Sequence, residues 1–278
     1  MKESKIGRDS GKTVNAQPKP DPASDRVVYE QPLSERIRSF LRLEHLFERA
    51  FYQLNVGDSW SSRNTLESII DVLSVLSRAD LKTELVKELE RYAARLESLG
   101  RNPNVDQARL QEILDGIRSV LHSLRTFDSV IGHELRYNEL LNAVKQRSSI
   151  PAGTCNFDLP AYHYWLKAPS DQRIHDLQTW LSSFTMLHEA VSLCLSLVRE
   201  SATETRETAI AGFFQRNLET STPCQMIRVS LPRDADYFAE ISAGRHRFTV
   251  RFMNFVDPSS RPVQSDKDID FDLLCCVI

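Results

Sequence analysis

Glycine is scarce in this chain, with 9 residues in 278. That disfavours glycine-rich phosphate loops and a turn-dense all-β fold, and it favours helices. No GxxxxGK, GxSxG or HExxH pattern occurs; His133-Glu134 and His188-Glu189 each lack the second histidine. The five cysteines are Cys155, Cys194, Cys224, Cys275 and Cys276. An odd count without any CxxC gives neither a disulfide framework nor zinc-finger spacing, and it suits a reducing cytoplasm. Long apolar runs are missing too. Val191 to Val198 is interrupted by two serines, whereas a membrane span needs roughly 20 apolar residues, so no membrane insertion is expected. An excess of basic charge is also absent: 35 Lys+Arg against 38 Asp+Glu give a net charge of -3, which argues against a general nucleic-acid binder.

What is present is a helical pattern followed by a strand pattern. Residues 1–25 contain no Leu, Phe, Tyr or Trp and cannot bury enough surface to offset their ordering entropy, so a disordered extension is expected there. RVVYE (26–30) reads as a short strand. Pro32 and Ser34 open a helix whose apolar stripe is Leu33, Ile37, Phe40, Phe47, Phe51 and Leu54. Further helices are expected over about 62–77, from Asp80 as N-cap to Gly100, over about 105–124, and as one unbroken helix over about 129–147 that turns Tyr137 inward. SSIPAGTCNFDLP breaks the pattern, and Pro160 starts a short helix. Ser170 is expected to cap the next one, which is followed by a long apolar helix over about 185–201.

Beyond residue 201 the period changes. SATETRETAIAGFFQRNLETSTP reads as a connector. MIRVSL, Tyr237–Ile241, HRFTVRF and DIDFDLLC alternate as strands. The expectation is α+β: a helical bundle domain over 32–205, then a small antiparallel β domain over 206–278 completed by the strand at 26–31. The last four residues, Cys275 to Ile278, loosely resemble a prenylation box, but the strand pattern runs straight into them.

Candidate chemistry is thin. Cys155 with His163 has the residue types of a nucleophile and base, but Cys155 sits in a loop where it also packs as a small apolar residue. Asp268, Asp270 and Asp272 recur every second residue, as on a solvated strand face. Trp165 and Trp180 stand at core-like positions. Arg38, Arg42, His45 and Arg49 form a basic stripe on the first helix. Such a stripe is ordinarily the solvent face of an amphipathic helix, yet few carboxylates fall beside it, and guanidinium forks suit carboxylates on a partner. Arg247 and Arg251 either bind a ligand or pair across strands with Asp270 and Asp272, if 246–255 lies beside 268–275.

Five blocks together resemble a known family. VVYEQPLSERIRSFLRLEHLF, DLKTELVKELER, SIPAGTCNFDLPAYHYWL, HRFTVRFM and DFDLLCC are similar, in this order, to the ZapD family of bacterial cell-division proteins, over roughly residues 26–276. The resemblance implies a cytoplasmic, non-enzymatic homodimer without cofactor or metal. It implies recruitment to mid-cell by the tubulin-like protein FtsZ, whose C-terminal tail it grips. It further implies bundling of FtsZ protofilaments, stabilisation of the Z-ring and lowered FtsZ GTPase activity. A basic pocket in the helical domain is implied, with Arg42 and His163 at two of its positions. The third falls on Glu139, a departure. Arg136, Lys145 and Arg147 are the neighbouring cations that compensate, with Arg136 and Glu139 read as i, i+3 neighbours. Arg38, one turn from Arg42, and Arg247 and Arg251 complete the expected partner-binding set. The competing reading is a nucleic-acid-binding regulator that uses the basic face of the first helix.

Overall fold

The computed structural model describes residues 25–78, 80–219, 223–244, 246–255 and 257–278. Apart from Asp25, the expected disordered extension lies outside the described residues. Among these residues, eight α-helices are followed by two antiparallel sheets, one of which takes its first strand from the N-terminal end.

β1 (Arg26–Pro32) leads through Leu33 and Ser34 into α1 (Glu35–Val56). The Ser34 hydroxyl accepts from the Ile37 amide at 3.2 Å, satisfying one of the donors that a helix start leaves free. Ile37, Phe40, Leu43, Phe47 and Ala50 bury one face of α1, each large side chain contributing about 1.5–3 kcal/mol. The chain reverses at Gly57, in the left-handed region with φ 76°, where Asp58 caps α2 (Ser59–Leu76) by accepting from the Trp60 and Ser61 amides. α3 (Leu81–Leu99) starts at Asp80 as expected, and α4 (Gln107–Thr126) starts at Asp106.

The single helix expected over 129–147 is not formed. Gly132, at φ 68°, interrupts it. A 3-10 turn at Glu134–Tyr137 follows, and Asn138 caps a separate α5 (Glu139–Arg147). Tyr137 is thereby turned outward. After the 148–159 turns come α6 (Pro160–Leu166), with Pro160 in its first turn, α7 (Ser170–Ser182) and α8 (Thr185–Glu200). Ser170 is the first residue of α7 rather than its cap: Pro169 holds the cap position and no side-chain capping bond forms. Trp165 and Trp180 stack at 5.8 Å on the edge of the helical core.

The expected connector after residue 201 is instead largely two strands, β2 (Ala202–Ala209) and β3 (Phe213–Asn217). Their polar composition follows from position: β2 is the outer strand of its sheet, and among its residues only Ala209 is fully buried. β4 (Met226–Pro232), β5 (Tyr237–Ala243), β6 (Arg247–Asn254), β7 (Val263–Gln264) and β8 (Ile269–Cys276) follow. One sheet has the order β1-β4-β8-β2; the other has β3-β6-β5, with β7 beside the end of β6. Between the sheets Ile227, Val229, Leu231, Phe248, Val250, Phe252, Ile269, Phe271 and Leu273 form one apolar cluster.

β6 and β8 therefore lie in opposite sheets and do not pair, so the cross-strand alternative for Arg247 and Arg251, ion pairs with Asp270 and Asp272, is not formed among the described residues. Asp272 is nearly buried and is taken by Arg26 and, at 2.7 Å, by Arg206; Asp270 accepts from Thr208 at 2.7 Å. The C-terminal Ile278 is buried in the helical core, so the last four residues are no exposed tail.

Pro32, Met226, Cys276 and Ala202 stand in register across one end of the first sheet. That end packs on the helices, with Met226, Cys276 and Ala202 joining the helical core. Beside it lies an ion cluster. Arg199 of α8 donates to both carboxylate oxygens of Glu30 on β1, at 2.9 Å each, and of Glu44 on α1, at 2.7 and 2.6 Å. Arg228 of β4 stands 2.9 Å from Glu30. Burial pushes the Glu30 carboxyl up, but the two guanidinium groups outweigh it and hold the group below its ordinary value.

Candidate partner-binding face

The basic stripe on α1 divides. Arg38 and Arg42 project outward, 44% and 60% exposed, and share one carboxylate, Glu35, at 3.6 and 3.7 Å. Two guanidiniums against one carboxylate leave surplus positive charge, and at such distances in water the pairs are weak and adaptable. Arg49 behaves differently: its guanidinium donates to Ser68 at 2.7 Å and to Asp71 at 2.8 Å on α2. It holds two helices together, which leaves Arg38, Arg42 and His45 as the basic face that the nucleic-acid reading would use.

Arg136 and Lys145 come together. With Ser77, Asn142, Leu73 and Leu141 they line a recess of about 190 Å³ between α2 and α5. The carbonyl of Arg136 accepts from the Asn142 side chain at 2.7 Å, which fixes the backbone before α5. Because Tyr137 and Asn138 interrupt the helix, Arg136 and Glu139 are not i, i+3 neighbours on one helix, and no ion pair joins them among the described residues. Glu139 sits exposed in the first turn of α5, where a carboxylate suits the positive end of the helix. Arg136 also borders a second recess of about 500 Å³, with Leu76, Lys82 and Val130 in its wall. Val130 and Ser129 in turn border a third of about 460 Å³, beside His133 and Met186. The recesses share Arg136 and the Ser129–Val130 pair and follow one furrow along 127–136, lined by Arg136, Lys145 and Lys82 and also by Asp80, Asp128, Glu134 and Glu189.

Arg147 stands 3.5 Å from Asp158, tying α5 to the loop before α6. His163 lies half-buried in the middle of α6, without a side-chain hydrogen bond among the described residues. No bond connects it to Cys155, whose carbonyl accepts from the Asp158 and Leu159 amides. The Cys155–His163 pairing is therefore not built. Arg247 and Arg251 lie on β6, the middle strand of the second sheet, opposite Asn217 and Phe213 of β3, with Glu240 of β5 opposite Arg251 on the other side. They are exposed and remote from the helical furrow. No group of three or more His, Cys, Asp or Glu side chains suited to a metal ion occurs among the described residues, and no single helix among them is long and apolar enough to cross a membrane.

The furrow itself escaped the sequence reading, because the 129–138 segment was expected to be helical. Gly132 and the helix-capping Asn138 were the signals for it.

The family model described as ZapD, cell division protein, matches residues 41–251. The chain is 40% identical over 254 residues to cell division protein ZapD of Methylococcus capsulatus, covering 91% of this chain and 99% of that protein. It is 37% identical to ZapD of Coxiella burnetii over 253 residues, covering 91% and 98%. To ZapD of an Escherichia coli strain it is 34% identical over 251 residues, covering 90% and 99%.

Proposed function

Because the chain belongs to the ZapD family of cell-division proteins, we propose that it binds the C-terminal tail of FtsZ and cross-links FtsZ protofilaments as a homodimer in the cytoplasm at mid-cell. Proteins of this family are not enzymes, and the chain acts by binding. Stabilisation of the Z-ring and a lowered FtsZ GTPase rate follow from holding filaments side by side. We read 32–205 as the arm that grips and 206–278, with the strand at 26–31, as the domain that braces it.

The observation that carries the site is the under-neutralised pair Arg38 and Arg42, whose ion-pair partner among the described residues is the exposed Glu35 alone. A second cationic pair, Arg136 and Lys145, opens the furrow. An acidic tail segment is attracted to such guanidinium and ammonium groups, with salt weakening the bond. Two identical arms on one dimer turn a modest single-site affinity into stable bridging. His163 on α6 and Arg147 at the end of α5 belong to the same helical domain; Arg247 and Arg251 stand apart from it on β6, the middle strand of the second sheet, where Glu240 lies opposite Arg251.

Co-sedimentation with polymerised FtsZ, with and without its tail, tests the reading. The expected result is bundling by the wild type, loss of bundling without the tail, and a roughly tenfold weaker interaction for Arg42→Glu, since reversing one charge beside a carboxylate is worth about 1–2 kcal/mol in water. Unchanged bundling by Arg42→Glu overturns the site and leaves the family standing. A monomer by sedimentation velocity overturns the bridging.

A further inference from the structure

A cavity of about 480 Å³ lies where α3 meets β2, β3 and β8. Its walls include Arg95, Thr203, Arg216, Glu219, Cys224 and Cys275. Cys275 stands on β8 between Thr203 of β2 and Ile227 of β4. The Cys224 thiol approaches from the segment before β4. It donates to the Met226 carbonyl at 3.3 Å and its sulfur adjoins that of Cys275 in the cavity wall. Arg216 faces the same sulfur. Its guanidinium is held in place by an ion pair with Glu207 and by the Phe214 ring at 5.5 Å. Arg95 is exposed and has no ion pair among the described residues.

We propose that this cavity is a thiol-modification site at which Cys275 exchanges with a small anionic disulfide of the glutathione class, whose carboxylates are met by Arg95 and Arg216. The Cys275 thiolate attacks one sulfur of the disulfide. A new S–S bond forms to Cys275 as the old one breaks, and the second half leaves as a thiolate that takes a proton from water. Cys275 is oxidised and the small disulfide reduced. No other oxidant is needed.

The chemistry suits Cys275 above the other cysteines. Its neighbours favour the thiolate: the Cys224 sulfur and the Arg216 guanidinium face it and, despite burial and the nearby Glu207, hold its pKa below the ordinary thiol value. Cys194 and Cys276 are buried, with thiols pushed up to about 12 mainly by desolvation. Cys155 lies in a loop with no cation against it in any described hydrogen bond or ion pair. A lowered thiol pKa raises the fraction present as the attacking thiolate, and the lower nucleophilicity of a more acidic thiolate takes back only part of that gain. Arg95 adds to this for an anionic reagent only.

Glutathione disulfide is incubated with the full-length wild type at pH 7, and adducts are mapped by fragmentation mass spectrometry that separates Cys275 from Cys276. The expected result is a glutathionyl group on Cys275, formed faster than on Cys155. The rate falls for Arg95→Gln, and the adduct is lost from that position in Cys275→Ser. A neutral disulfide, bis(2-hydroxyethyl) disulfide, is expected to show a smaller preference for Cys275. Modification mainly at Cys155, Cys224 or Cys276 overturns the proposal. Equal preference for the neutral and anionic reagents overturns the role given to the arginines. Because the mapping is done on the wild type, the outcome does not depend on any variant folding.

Discussion

Replacing Arg199 with Met should loosen the contact between the helices and the first sheet. Arg199, Glu30 and Glu44 are 28%, 20% and 21% exposed at their side chains, so they are largely but not wholly out of water. Breaking a fully buried ion pair costs about 3–5 kcal/mol, because the remaining charge is stranded; with each group still partly wet, about 2–3 kcal/mol is expected. Glu30 keeps Arg228 at 2.9 Å, whereas Glu44 has no second partner among the described ion pairs, so most of the loss falls on Glu44. The double variant Arg199→Met/Glu44→Gln removes that stranded charge and should recover about half of the penalty. Urea denaturation with a single m-value measures the difference. In a thermal scan it corresponds to roughly 4–12 °C for a chain of this size. The pH dependence has a fixed sign. A carboxyl whose folded pKa is depressed stabilises the fold above its ordinary value of 4.5 and loses that contribution as pH falls through the folded value. The gap between wild type and Arg199→Met should therefore narrow on acidification below about pH 4.5. A single-variant penalty under about 0.5 kcal/mol, or strict additivity in the double variant, refutes the reasoning.

Other substitutions test neighbouring parts of the structure. Gly132→Ala places a methyl group at φ 68°, 2.8 Å from Phe184 and 2.9 Å from Leu73, and should cost about 1–3 kcal/mol in urea denaturation; Gly116→Ala, on α4 with nothing within 4 Å, should gain about 0.5–1 kcal/mol. Arg173, buried on α7, donates to Ser62 at 3.1 Å, to the Gly57 carbonyl at 2.9 Å and to Ala168. Arg173→Met strands those acceptors and should lower the denaturation midpoint by the equivalent of about 3 kcal/mol. Glu35→Gln frees both Arg38 and Arg42 and should strengthen binding to FtsZ polymers two- to fivefold at low salt, with the gain disappearing as salt is raised in fluorescence titrations.

Helices were readable because their caps and apolar spacing are local. Ser34, Asp80 and Pro160 mark starts, and Ile37, Phe40 and Phe47 mark an inward face that the structure buries. Strands β4, β6 and β8 were readable by alternation. Their partners were not, since nothing in HRFTVRF says that it faces DIDFDLLC across a sandwich instead of lying beside it. β2 was missed because an edge strand carries Thr, Glu and Arg, as a connector does. The candidate site was legible as far as Arg38 and Arg42 face solvent. That Arg49 is spent on Ser68 and Asp71, and that Cys224 meets Cys275, depend on contacts made only after distant segments pack.

β1 enters α1 through two residues, and α8 enters β2 through Ser201 alone. These crossings lie at the two outer strands of one sheet end, about 14 Å apart at normal strand spacing. Two short pins set that far apart block swivelling in a way that one flexible tether does not. A cross-bridge made from two such chains would behave as a stiff strut: the gap between the filaments it joins would be a property of the protomer's shape, nearly constant under load until a strand is pulled free.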